Sequence, residues 1–124
     1  MIIADGCDLI EIERIAKALQ RENFCTRIYT AAELSYAESK KNQRKAASLA
    51  AVFAAKEAVA KALGVGLGQI GWREIEVRHD ELGKPFVTLS GRARALAEEK
   101  GVKNIHLSLS HSREYALAMV ILEG

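Results

Sequence analysis

Little in this chain of 124 residues points to sulfur chemistry or to a membrane. Its two cysteines, Cys7 and Cys25, stand at no metal-ligand spacing. No disulfide is expected, and both read as ordinary buried or half-buried residues. No apolar run approaches the ~20 residues of a membrane span, so no membrane association is expected. The opening Met1-Ile2-Ile3-Ala4-Asp5 has no basic segment followed by a long apolar one. A signal peptide is therefore not expected, and the cytoplasm is the expected compartment. The formal net charge is only +2, which argues against a general nucleic-acid binder. No strong internal repeat, low-complexity tract or nucleophile elbow is present, which disfavours serine-hydrolase chemistry. Gly64, Gly66, Gly68 and Gly71 mark a loop, but no strand precedes them and the spacing is not a dinucleotide fingerprint.

What is present is a foldable core. Apolar residues make up 49% of the chain, and the length fits one domain, residues 1–124. Ile2 to Leu9 reads as a strand. Ile10 to Glu22 reads as an amphipathic helix, with Ile12, Ile15, Ala16 and Leu19 recurring at helical spacing. Thr30 followed by Glu33 is a capping box that opens a short helix to about Ser39. Residues 40–44 form a polar connection. A long alanine-rich helix then runs from about Lys45 to Leu63 and stops at Gly64, the position where glycine is favoured. Trp72 to Arg78 and Phe86 to Leu89 read as strands joined by a turn at Asp80–Pro85, with Gly83 supplying positive φ. Ser90 is the expected cap of a helix over Arg92 to Lys100, closed by Gly101. Ile105 to Leu109 and Tyr115 to Leu122 are two more strands. Strands and helices mix without regular alternation, so the class is α+β.

The chemistry concentrates in a few places. Glu57 and Lys61 are four apart and share a face of the long helix. Asp8 ends an apolar strand. Alanine lets a helix approach a sheet closely, so a carboxylate there is half-buried and in need of a cation or hydrogen bonds. The alternative is a surface Glu57–Lys61 pair worth a few tenths of a kcal/mol. Two carboxylates plus a substrate phosphate suit a hard ion such as Mg²⁺. Lys61 is the better phosphate ligand; Lys56, five residues before it, projects on a different side and is equally well solvent-facing. Ser110 and His111 at a strand end suit a phosphate, whereas His79 reads as structural. His106 and His111, five apart, face opposite sides of a strand and share no metal. Arg14, Lys17 and Arg21 form a cationic stripe, either solvated or a docking face for an acidic protein. Lys40, Lys41, Arg44 and Lys45 form a second basic cluster suited to a polyanion or an acidic partner.

Gly6-Cys7-Asp8-Leu9, Phe53-Ala54-Ala55-Lys56-Glu57 through Lys61-Ala62-Leu63-Gly64, Gly83-Lys84-Pro85 and Ser108-Leu109-Ser110-His111 occur in that order. With these four motifs the whole chain resembles the small, stand-alone holo-acyl-carrier-protein synthases of the 4′-phosphopantetheinyl transferase superfamily. The resemblance implies a mostly antiparallel sheet packed against a long central helix. It implies transfer of the 4′-phosphopantetheine arm of coenzyme A to a serine of an apo acyl carrier protein, releasing adenosine 3′,5′-bisphosphate. By it, Asp8 and Glu57 bind Mg²⁺ and Lys61 neutralises charge developing on the phosphates. Ser110 and His111 contact phosphates at the adenosine end, while Gly64, Lys84 and Pro85 line the nucleotide site. The base for the carrier serine is Glu57 or a metal-bound water. Arg14, Lys17, Arg21 and Arg27 would then receive the acidic carrier protein. A homotrimer with active sites between subunits is implied as well. One position departs: the arginine often found before the aromatic residue is Val52 here, with Arg44 or Lys45 earlier in the helix as the expected substitutes. That departure is what favours a rival reading, a coenzyme A or nucleotide-binding module without turnover. A scaffold holding acidic partners is a third.

Overall fold

The computed structural model describes residues 1–41 and 43–124, and of Gln43 the backbone alone. The chain forms β1 (Ile2–Glu11), α1 (Ile12–Ala18), α2 (Phe24–Ile28), α3 (Ala31–Glu38) and α4 (Gln43–Leu63). A 3₁₀ turn (Trp72–Glu74), β2 (Ile75–His79), β3 (Pro85–Leu89), α5 (Gly91–Glu99), β4 (Asn104–His111) and β5 (Tyr115–Glu123) follow. The polar connection expected over 40–44 includes Asn42, which lies outside the described residues. Among those residues no helix is long and apolar enough to cross a membrane.

The strands form two antiparallel sheets. One has the order β1-β5-β4; the other is the β2-β3 hairpin. β5 is central: Asp8 of β1 and Leu109 of β4 both lie opposite its Ala118. Ala116, Ala118, Val120 and Leu122 of β5 point inward and are buried. α4 crosses this face. Its 21 residues span about 32 Å. It is buried on several sides, through Leu49, Ala50, Ala54, Ala55, Ala58 and Val59 among others. Each buried leucine or valine contributes about 1.5–3 kcal/mol. The alanines contribute close approach instead.

Gly6 shows how close. A Cβ placed on it would lie 2.0 Å from the Ala58 carbonyl oxygen, so only glycine lets β1 rest on α4 here. That contact brings Asp8, two residues on and on the same face of β1, beside Glu57. At the other end of α4, Gly64 has φ +77°. Its N–H donates to the Lys61 carbonyl, and that of Val65 to Ala60. This left-handed cap stops the helix right after Lys61.

Some boundaries differ from the sequence reading. Ile10 and Glu11 continue the strand, because Glu11 pairs with Tyr115 and Ile10 with Ala116 of β5. α1 is accordingly short, and α2 is an additional helix. Trp72–Glu74 is a 3₁₀ turn rather than strand. Ser90 makes no side-chain cap. Glu74 does that work from a distance: its Oε1 accepts from the Ala93 N–H at 2.9 Å. The Thr30–Glu33 capping box and the positive φ of Gly83 (84°) are as expected.

Candidate active site

Asp8 comes from β1, and Glu57 and Lys61 from α4. Lys61 Nζ donates to Asp8 Oδ1 at 2.9 Å and to the Cys7 carbonyl oxygen at 3.1 Å. The ammonium thus serves Asp8, not Glu57, and the surface Glu57–Lys61 pair does not form. The hydrogen bond that Lys61 donates to Asp8, and the Asp8 charge, hold the Lys61 pKa above the usual lysine range. Glu57 is half-buried. Burial first, and the Asp8 charge second, raise its pKa, while Lys61 and Arg14 oppose them. Two carboxylates that repel one another, partly screened by an exposed lysine, form a site that favours a bound cation. Among the described residues no group of three or more His, Cys, Asp or Glu side chains could hold a metal. A two-carboxylate set fits Mg²⁺, which keeps waters and substrate phosphates as its other ligands.

Lys56, next to Glu57, is not solvent-facing. It is 0% exposed. Its ammonium pairs with Glu33 Oε1 at 2.9 Å and donates to the carbonyl oxygens of Trp72 (3.0 Å) and Ile75 (2.5 Å). Burial pulls its pKa below the ordinary lysine range, and Glu33 opposes that. Glu33 also accepts from the Thr30 N–H at 2.9 Å and the Val77 N–H at 2.7 Å. Every donor of the ammonium has a partner, the condition for burying a charge.

A second group of expected residues gathers along the first half of α4. Arg44, Val52, Gly83, Pro85 and His111 line a cleft of ≈ 340 Å³. Arg44 and His111 also line a larger one of ≈ 950 Å³ with Glu11 and Arg113. Lys45 and Lys84 line neither; Lys45 pairs with Glu38 instead. Ser110 alternates with His111 along β4 and lies exposed. Arg44 and Glu57 are thirteen residues apart, about 20 Å of helix. The chain thus holds two separate groups of the expected residues: the carboxylates with Lys61, and the Arg44–His111 cleft.

The sequence model described as the 4′-phosphopantetheinyl transferase superfamily matches residues 6–120. The chain belongs to that superfamily. A holo-[acyl-carrier-protein] synthase of Vibrio cholerae serotype O1 is 50% identical, the match covering 99% of this chain and 98% of that protein. One of Caldanaerobacter subterraneus subsp. tengcongensis is 46% identical over 100% of this chain and 97% of its own. The crystal structure of a Bacillus anthracis holo-(acyl-carrier-protein) synthase in complex with CoA (3′,5′-ADP) superposes with a TM-score of 0.84. It is 40% identical and covers 100% of this chain and 98% of that one. A Helicobacter pylori synthase in complex with coenzyme A gives 0.83 at 29% identity, covering 96% and 99%. The α+β architecture is therefore that of the phosphopantetheinyl transferases.

Two surfaces of this transferase bear on its site. Arg14 and Lys17 stand exposed on α1, and Arg14 is near enough to Glu57 to lower its pKa. Arg21 lies in the turn after α1 and Arg27 on α2, so the cationic stripe is broken across two helices and a turn rather than carried by one. The outer face of the three-stranded sheet is apolar along β5 and the adjoining part of β1, and polar along β4 through His106, Ser108 and Ser110. Leu9 (60% exposed) lies opposite Leu117, and Cys7 opposite Met119 (47% exposed). Ile2 and Tyr115 extend the patch. Cys7 is thus exposed, not buried. The sequence carries a signal for this face: Tyr115 to Leu122 is apolar at every position, as in strands covered on both sides.

Proposed function

We propose that this transferase moves the 4′-phosphopantetheine arm of coenzyme A to a serine hydroxyl of an apo acyl carrier protein, releasing adenosine 3′,5′-bisphosphate. The carrying observation is the Asp8–Glu57–Lys61 constellation, which unites a paired lysine with two mutually repelling carboxylates. Asp8 and Glu57 are the residues that would hold Mg²⁺. When bound, the ion would neutralise pyrophosphate charge and help the bisphosphate leave. Lys61 is a cation at any physiological pH and is exposed, ready for a phosphate oxygen. Phosphoryl-type transfer relies mainly on positioning and charge stabilisation, which this constellation supplies.

The serine oxygen forms a bond to the phosphorus carrying the pantetheine arm. The bond from that phosphorus to the bridging oxygen breaks, and the electron pair leaves with the bisphosphate. The hydroxyl proton passes to a carboxylate oxygen of Glu57.

The remaining parts of the proposal concern assembly and partners. The exposed apolar stripe on the sheet supports a homotrimer. The separation of the two groups, read as half-sites, supports active sites completed between subunits, with Arg44, Pro85 and His111 of one copy facing the carboxylates of the next. Lys84 and Ser110, outside the clefts of one chain, belong to that shared site; Gly64 borders it beside Lys61. Arg14, Lys17, Arg21 and Arg27 would steer an acidic carrier towards Glu57. Coenzyme A and a carrier protein as reactants imply a cytoplasmic setting and a single catalytic domain over residues 1–124. The test is intact mass of an apo acyl carrier protein after incubation with this chain, coenzyme A and Mg²⁺, beside an EDTA control. A phosphopantetheine-sized gain absent with EDTA is expected. No gain on several carriers favours a different carrier or the binding module, and Val52 is then the first residue to question.

A further inference from the structure

The motif Phe53-x-x-Lys56-Glu57-x-x-x-Lys61 has two faces with different work. Glu57 and Lys61 look towards Asp8. Phe53 and Lys56, three apart, look the other way and meet the same residue. The Phe53 ring stacks on the Trp72 ring, with centroids 4.8 Å apart and planes at 29°. The Lys56 ammonium holds the Trp72 carbonyl oxygen at 3.0 Å. One side chain grips the indole and the other grips the backbone.

Trp72 is where the segment 64–71 comes back to the body of the protein. That segment leaves α4 three residues after Lys61 and contains Gly64, Gly66, Gly68 and Gly71. Half its residues are glycine, so an untethered form carries high backbone entropy. Its start is fixed by the left-handed cap at Gly64, and its middle by Gln69, whose Oε1 accepts from the Gly66 N–H at 3.1 Å. Its far end is fixed by Ile70, buried in the core, and by Trp72 just beyond it. Glu33 pairs with Lys56 and aims it, and Glu33 is itself held by Thr30 and Val77. The clamp therefore rests on rigid elements on every side.

We infer that Phe53 and Lys56 are positioning residues for the donor: by clamping Trp72 they hold the glycine segment 64–71 in the shape that receives the phosphates beside Lys61. The inference rests on the reading of Lys61 and Gly64 as part of the coenzyme A site. Loosening the clamp leaves Asp8, Glu57 and Lys61 in place, so the chemistry persists. The donor must then order the segment as it binds, and affinity falls by that cost.

Phe53→Leu removes the ring without stranding a buried charge, and Phe53→Tyr keeps the ring. An aromatic pair's worth sets the scale. The KM for coenzyme A is expected to rise about three- to tenfold in Phe53→Leu, with kcat within about twofold. The Kd of adenosine 3′,5′-bisphosphate, by calorimetry, should rise by the same factor, and Phe53→Tyr should restore both. Trp72 is the single tryptophan of the chain, so its fluorescence reports on the clamp alone. Acrylamide should quench it more in Phe53→Leu, and added bisphosphate should reverse that. A Phe53→Leu chain that melts lower but keeps its KM and bisphosphate Kd overturns the inference, since the clamp would then serve stability alone. So does a fall in kcat at unchanged KM. Glu33→Gln with Lys56→Met removes both buried charges together and should shift KM the same way; if that pair does not fold, Phe53→Leu decides. Failure of the unaltered chain to bind coenzyme A or to transfer would overturn the proposed function as well, whereas the Phe53 outcomes touch only the clamp.

Discussion

Glu57 is destabilising to the metal-free fold, and the sign can be worked out. Its carboxyl is raised in the folded chain by burial and by Asp8. The folded state thus binds the proton more tightly than the unfolded state does. The ionised group costs nothing below the ordinary glutamate range, and the cost is fully present above the raised value. Glu57→Gln should therefore melt a few degrees higher at neutral pH without metal. Mg²⁺ should raise the melting temperature of the unaltered chain and not of the variant. Transfer should fall at least a hundredfold in the variant. Calorimetric melts with and without Mg²⁺, beside a transfer assay, check these together. At this scale the sequence is half legible. The four-residue spacing puts Glu57 and Lys61 on one face, but the partner of Lys61 is Asp8, 53 residues away. Spacing along a helix says nothing about a strand that arrives from elsewhere. Lys56 was equally illegible, because lysine is rarely buried and the carboxylate that makes burial tolerable sits on another helix.

The Gly6–Ala58 contact governs how β1 and α4 meet. Gly6→Ala would place a methyl 2.0 Å from a backbone oxygen, and neither side has a flexible end to move. Strand and helix must separate. We expect a loss of about 3 kcal/mol, read as a melting temperature lower by roughly 10 °C. Activity should fall further than stability explains, because Asp8 moves off with the strand. A kinetic assay well below the melting temperature separates the two effects. α4 was legible because it carries every signal at once: an alanine-rich run, length and a glycine stop. The capping box of α3 was legible as local chemistry. The start of α1 was not. Ile10 and Glu11 fit a helical period, yet pairing with Ala116 and Tyr115 keeps them in the strand. Tertiary pairing overrides local preference there. Ser90 failed as a cap for a similar reason, since Glu74 reaches the Ala93 N–H first.

On the scale of the whole molecule the three-stranded sheet has a dry face towards α4 and, away from it, a face with an exposed apolar stripe along β5 and β1. Met119→Arg on the outer face removes nothing from the core or from Asp8, Glu57 and Lys61. If copies of the chain join through this face, the variant should run at about a third of the parent mass by light scattering. Its circular dichroism should be unchanged, and transfer should drop by about a hundredfold or more as the half-sites part. The α+β class was legible because strands and helices alternate irregularly; the outer face was harder, because apolar residues at every position of 115–122 also describe a strand buried within one chain. The sheet's order has a further effect, on timing. β1 leaves the ribosome before the other strands and β5 after them, and Ile2 pairs with Glu123. At ~5–20 residues per second, β1 waits several seconds with both edges open. Pairings so distant in sequence place this chain among slow folders. A growing chain that meets another like it before residues 115–123 emerge offers its neighbour an unpaired edge, so nascent copies close together on one message are prone to trade β1.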